Sequence, residues 1–246
     1  MTEVAEVIYA KIIAHGSRLK PEGSRLKPEG SRREGKMKFL IHAVEERQDN
    51  VKEIVTELER QGADLADIIV LYDFGHKGNL AAAIERYDWL TKNTYSYVDV
   101  WHLQDDIELS EHFMDIVRKL NDRAGIICGF CSEYCVDQDA KLLPPGPTES
   151  DKMWLSFPCI RIPVHITTAF SEWVKAHKDD GGITGKQIRS GKRDDELFRT
   201  FLKEEYTGMV VYNITPNLVD HRDDLCGGSI VSPQRLHCPR ATYYEG

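Results

Sequence analysis

Asp105 and Asp106 stand side by side just after a largely apolar stretch, Tyr97 to Leu103, with Gln104 between. Two adjacent carboxylates at a strand end repel one another and lose hydration unless positive charge compensates them. A hard divalent cation does this, because Mg²⁺ and Mn²⁺ take one or two carboxylates and complete their shells with phosphate oxygens. Neighbouring side chains diverge, so one aspartate can hold the metal while the other orders a hydroxyl or a water. The same pair also suits an acidic turn that caps a helix ahead of Leu109-Ser110. A second acidic run, Asp194-Asp195-Glu196, precedes the apolar Leu197-Phe198. Acidic residues in a first helical turn complement the helix dipole.

Cys128, Cys131 and Cys135 form an irregular cluster that Cys226, His237 or Cys238 could complete as a thiolate metal site. A closed zinc site normally presents two paired knuckles, so free thiols fit this spacing better. No serine-protease triad motif, Walker loop or dinucleotide fingerprint is present.

These residues need a scaffold, and the hydrophobic periodicity supplies one. Lys38 to Val44 reads as a first strand. Val51, Ile54, Val55 and Leu58 mark a helix, with Asn50 as N-cap, Glu53 closing a capping box and Gly62 ending the unit. Ala66 to Tyr72 is the continuous apolar run of a strand covered on both faces. A helix follows on Leu80, Ala83, Ile84 and Tyr87, then the strand Tyr97 to Leu103. A helix on Phe113, Ile116, Val117 and Leu120 and a strand from Gly125 to Phe130 continue the alternation. Such alternation predicts an α/β fold with a mainly parallel sheet, its strand ends gathered on one edge.

The second half is less regular. Pro144 to Pro147 marks a loop, and Asp179 to Lys192 is a polar, glycine-rich stretch. Helices are expected on Phe170, Trp173, Val174 and His177 and on Leu197, Phe198, Phe201 and Leu202. A late strand, Met209 to Ile214, runs into Thr215-Pro216 and an irregular tail that folds back over the first half.

The chain has 246 residues, 41% of them hydrophobic, enough for one buried core. No apolar run is long enough for a membrane span, and residues 1–15 lack the pattern of a secretory signal, so a cytoplasmic location and reduced thiols among the six cysteines are expected. A formal net charge of −8 excludes a general polyanion-coating role. Local basic surface does exist. Gly16 to Glu22 (GSRLKPE) is repeated without change at Gly23 to Glu29, and GSRREGK follows. The repeat has no apolar face, so residues 1–37 read as an extension with a flexible, glycine-rich basic tether, and 38–246 as a single domain.

Three segments resemble glycosyltransferases of the GT-A fold, and among them phage-encoded nucleotide-sugar transferases. They are Phe39 to Leu58 (FLIHAVEERQDNVKEIVTEL), Gly78 to Phe113 with its variant of the Asp-x-Asp metal motif, and Pro216 to Ser229 (PNLVDHRDDLCGGS). The resemblance implies a Rossmann-related, mostly parallel sheet flanked by helices. It implies Asp106 as the metal-binding carboxylate, Asp105 at the interior acidic position and His221 as the C-terminal metal ligand. Gln104 stands where many members have the first acid. Asp195 resembles the aspartate that takes the acceptor proton, with Asp194 beside it as the alternative. Arg47 and Lys77 become candidates for neutralising a diphosphate, Gly75 and Gly78 for close backbone approach, and Tyr72 for stacking on a base. A strand-to-helix turn accounts for the glycines equally well.

The expected activity is therefore transfer of a sugar from a nucleoside diphosphate sugar, a UDP-sugar by resemblance, to an acceptor hydroxyl with Mn²⁺ or Mg²⁺. The phage likeness suggests hydroxymethylated pyrimidine DNA as acceptor, steered by the repeat and by Lys186, Arg189, Lys192 and Arg193. Protein, glycan or small-molecule acceptors stay open. A sugar-1-phosphate nucleotidyltransferase and a non-catalytic sugar-nucleotide or nucleic-acid binding module are the competing readings.

Overall fold

The computed structural model describes residues 37–74, 78–94, 98–130, 145–149, 155, 157–191 and 194–222. The basic repeat, Gly75, Lys77, Cys131, Cys135, Cys226, His237, Cys238, Lys192 and Arg193 lie outside them. In chain order the strands are β1 (Lys38–Val44), β2 (Ile68–Asp73), β3 (Asp99–Gln104), β4 (Ile107–Leu109), β5 (Ile126–Cys128), β6 (Gly146–Glu149), β7 (Cys159–Pro163), β8 (Val211–Thr215) and β9 (Val219–His221). The α-helices are α1 (Gln48–Arg60), α2 (Asn79–Asn93), α3 (Phe113–Leu120), α4 (Val164–His177), α5 (Ile183–Ser190) and α6 (Asp194–Glu205).

Seven strands form one sheet in the order β2-β1-β3-β7-β5-β8-β6, and β4 pairs with β9 in a separate ribbon. β1, β2, β3, β5 and β8 run one way, while β7 and β6 oppose them. The architecture is thus α/β with a mostly parallel central sheet, compatible with a Rossmann-like fold. Among the described residues no helix is long and apolar enough to cross a membrane.

Side-chain alternation explains why helices cover both faces. Phe39 and Trp101 point to one face, where both rings meet Phe113 of α3. Leu40 and Val100 point to the other, into a cluster with Leu80 and Leu90 of α2, Phe170 of α4 and Phe198 and Phe201 of α6. The Phe170 and Phe198 rings meet edge to face at 4.8 Å, a favoured aromatic geometry.

Three expectations need correction, and one strand has no counterpart among them. Asn50 is not the N-cap: a 3₁₀ turn, Glu45–Arg47, carries the chain into α1 earlier, and Asn50 Nδ2 instead donates to the Asp105 carbonyl at 3.3 Å. The proline loop is in part strand, with Gly146–Glu149 antiparallel to β8 at the sheet edge. Pro147 is tolerated there because an edge strand needs no donor on its outer side. The polar stretch after Asp179 holds α5, which Gly191 ends in a left-handed conformation at φ 64°. β7 was not expected at all. It lies between β3 and β5 and carries Arg161, which is 1% exposed.

Arg161 explains how a charge sits in a central strand. Its Nη1 donates to Leu120 O at 2.8 Å, and its Nη2 to Gly125 O at 3.0 Å and to Arg123 O. Asp99 stands 3.6 Å away. The guanidinium therefore satisfies carbonyls at the end of α3 and in the turn into β5. That turn needs a glycine: Gly125 has φ 102°, and a Cβ there would sit 2.5 Å from Val210 O.

Arg161→Leu removes these donors, leaves Leu120 O with only the Arg123 N–H at 3.0 Å, and takes the guanidinium away from Asp99. The variant is expected to lose about 3–5 kcal/mol of unfolding free energy, measured by equilibrium denaturant unfolding. Lys52→Ala, at an exposed helical ion pair, is the control and should change stability by less than about 0.5 kcal/mol.

Candidate active site

Because β1, β2 and β3 are parallel, their carboxyl ends meet at one edge, where ligands bind in open α/β sheets. Val44 ends β1, Asp73 ends β2, and Gln104 leads from β3 into the Asp105-Asp106 turn. Asp73, Asp105 and Asp106 are all buried.

The two carboxylates diverge, as adjacent residues should. Asp105 turns toward β1: its Oδ2 accepts the Val44 N–H at 2.7 Å and its Oδ1 accepts from Arg47 Nη1 at 3.1 Å. Asp106 turns toward β9, with Oδ2 accepting from Arg47 Nη1 at 2.5 Å and Oδ1 lying 3.1 Å from His221 Nε2. Burial, reinforced by the Asp106 charge, pushes Asp105 up to about 6 despite the Val44 and Arg47 contacts. Burial alone would lower Arg47, but the charges of Asp106 and Asp105 outweigh it and raise the guanidinium above its ordinary value. Arg47 therefore sits within the carboxylate pair.

The ribbon brings His221 to this turn. β4 and β9 pair antiparallel, with Ile107 opposite His221. The Arg222 N–H donates to Asp106 O at 2.6 Å, and Arg222 Nη1 pairs with Glu108. Asp106 and His221 thus converge from distant parts of the chain. Among the described residues no three His, Cys, Asp or Glu side chains gather at metal-ligand spacing. Two ligands do fit Mg²⁺ or Mn²⁺, which usually take the rest of their shell from substrate phosphates and water. The 3.1 Å separation of Asp106 Oδ1 and His221 Nε2 is close to the edge of an octahedron with bonds of about 2.1 Å.

Of the acidic residues that open α6, Asp194 is half-buried and Asp195 exposed. Burial, followed by the Asp195 charge, pushes Asp194 up to about 6. Two backbone N–H groups and Arg86 oppose that rise. Asp194 also acts electrostatically on Tyr87 of α2.

The other expected residues are dispersed around this edge. Tyr72 lies in β2 beside Ala43, and its ring is 5.7 Å from that of Phe74. Phe74, 62% exposed, is the one large apolar side chain left outside among the described residues. Gly78 precedes α2 with φ 88°, a backbone state that favours glycine whether or not a ligand is near. Cys128 and Cys159 are buried free thiols, and burial pushes the Cys159 thiol up.

Sequence reasoning missed Arg86, Asp73, His42 and His102. Arg86 is half-buried in α2 and acts electrostatically on Asp194, while Asp73 and Asp105 act on it. The available signal was a polar residue inside an apolar strand, twice, at His42 and His102.

No protein-family model matches the chain, and no curated protein matches it.

Asp194 binds a proton more tightly in the folded chain than in the unfolded one, so it favours folding less as pH rises from about 4 to about 6. Asp194→Asn removes that penalty. It is expected to stabilise the protein by about 2 kcal/mol at pH 7.5, with the gain shrinking as pH falls toward 4. Denaturant unfolding across that pH series checks it.

Proposed function

We propose that the chain is a GT-A-like glycosyltransferase that moves a sugar from a nucleoside diphosphate sugar, a UDP-sugar by resemblance, to an acceptor hydroxyl. The observation that carries the proposal is the meeting of Asp106 and His221 at 3.1 Å, with Asp105 and Arg47 completing a charge cluster at the strand edge. The strand order, with β7 opposed between β3 and β5, and the separate β4-β9 ribbon support the same reading. Asp106 and His221 would hold Mn²⁺ or Mg²⁺, whose chemistry is to neutralise charge on a departing diphosphate.

The chain's own groups then have separable tasks. Arg47 keeps both carboxylates ionised and aimed apart. Asp105, held by Val44 and Arg47, is the group that orders a sugar hydroxyl. A carboxylate at the start of α6 accepts the acceptor proton while the acceptor oxygen bonds to the anomeric carbon and the diphosphate leaves from the opposite side. Of the two candidates Asp194 is taken first, because burial pushes its carboxyl up to about 6, which combines basicity with ionisation at neutral pH. Inversion follows from a single displacement.

Hydroxymethylated pyrimidine DNA is the acceptor class proposed first. Lys186 and Arg189 are exposed on α5, although Arg189 is already bonded to the Lys178 and Asp180 carbonyls. DNA-specific stimulation of donor turnover separates this acceptor from a soluble glycan.

Calorimetry with a nucleotide-sugar panel, with and without Mn²⁺, tests the donor. At least one ligand is expected to bind more tightly with the metal, and Asp106→Ala should weaken that metal-dependent binding at least about tenfold. Absence of any such ligand, or equal affinity in the variant, rejects the reading. Released nucleoside diphosphate marks a transferase, released pyrophosphate a nucleotidyltransferase, and binding without turnover a binding module.

The base is assigned by single-turnover rates at saturating donor. Asp194→Asn should slow transfer at least about 100-fold with donor affinity unchanged, whereas Asp195→Asn should slow it far less. The reverse pattern moves the base to Asp195.

A further inference from the structure

His42 and His102 stand inside largely apolar stretches of β1 and β3, on the sheet face that α2 covers. His42 Nε2 lies 3.0 Å from His102 Nδ1. From α2, Arg86 Nη1 approaches His42 Nδ1 at 3.1 Å, and its Nη2 donates to Ala43 O at 3.3 Å. The Tyr87 ring meets His102 edge to face at 5.5 Å.

Arginine offers only donors and stays charged, so the proton positions follow from it. His42 Nδ1 must accept from Arg86. A neutral His42 therefore carries its proton on Nε2 and donates to His102 Nδ1. His102 in turn carries its proton on Nε2, a buried atom with no hydrogen-bond partner among the described residues. Burial keeps both rings neutral, helped by the Arg86 charge, and His102 is pushed down to about 3. Any other tautomer would set an N–H against an N–H.

The hydrogen-bonded partners of Arg86 are thus neutral, while the carboxylates around it act through space. Asp73 comes from β2, Asp105 from the turn after β3, Asp194 from α6, and Glu85 from α2 itself. We propose that His42 and His102 are positioning residues, a two-ring strut that fixes the direction of Arg86 toward the carboxylates at the site edge. Its functional arm rests on the sugar-nucleotide reading; the strut does not.

Without an acceptor at His102, the His42 Nε2–H loses its partner and the ring is no longer held in place against Arg86. Once the ring rotates, Nδ1 leaves the guanidinium and Arg86 loses its restraint. His102→Leu creates that situation, whereas His102→Asn returns an oxygen acceptor near the Nδ1 position. Long-range ¹⁵N spectra report the histidine tautomers, and guanidinium ¹⁵N linewidths report the restraint on Arg86. Donor hydrolysis with Mn²⁺ and a UDP-sugar reports function.

The wild-type protein should show both Nδ1 atoms unprotonated and Arg86 restrained. His102→Leu should release Arg86 and lower kcat at least about tenfold, as small misplacements in active sites do, with nucleotide affinity little changed. His102→Asn should recover most of both. A protonated Nδ1 on wild-type His42, an equally restrained Arg86 in His102→Leu, or wild-type kcat in that variant overturns the proposal. If His102→Leu does not fold, the wild-type tautomers and the His102→Asn linewidths decide. If the wild-type protein turns over no donor, the transferase reading fails and the spectra alone judge the strut.

Discussion

A buried guanidinium between two buried carboxylates is the interaction on which the site depends. Asp105 and Asp106 would not both remain ionised at 5% and 7% exposure without compensation. Arg47 supplies it from one nitrogen that reaches both. This places strict demands on the chain. β1 must pair with β3 so that Val44 offers its N–H to Asp105. The 3₁₀ turn after β1 must then swing Arg47 under the pair, and α1 must begin where it does for Asn50 to hold the Asp105 carbonyl. Removing one member of such a buried set leaves an uncompensated charge, so its members stand or fall together.

The first half of the fold was legible because its apolar periods are clean. β1, α1, α2 and α3 all lie where alternation or helical spacing placed them. β7 was hidden because Arg161 interrupts its apolar run, and only carbonyls far along the chain make that charge tolerable. α5 was hidden by its composition. It has few apolar residues, and glycines flank and interrupt it. Local propensity is a weak guide in both places because contacts elsewhere decide the outcome.

The site was legible in part. Adjacent aspartates after a strand announce themselves, but their burial and shared arginine depend on sheet pairing. Asp194 and Asp195 are neighbours in sequence, and only the phase of α6 against α2 makes one half-buried and the other exposed. Arg86 lies off the apolar stripe of its helix, and nothing in the local pattern links it to the two histidines. Their hydrogen bonds join positions 44 and 60 residues apart, beyond anything a local pattern encodes.

The β4-β9 ribbon has a consequence for how the protein is made. It joins Glu108 to Arg222 across 114 residues of sequence. A ribosome adding about 5–20 residues per second needs about 6 to 23 seconds to cover that distance. During that interval Arg47, Asp105 and Asp106 have been synthesised, but His221 has not. Asp106 and His221 can therefore meet only after the whole span between them has been synthesised.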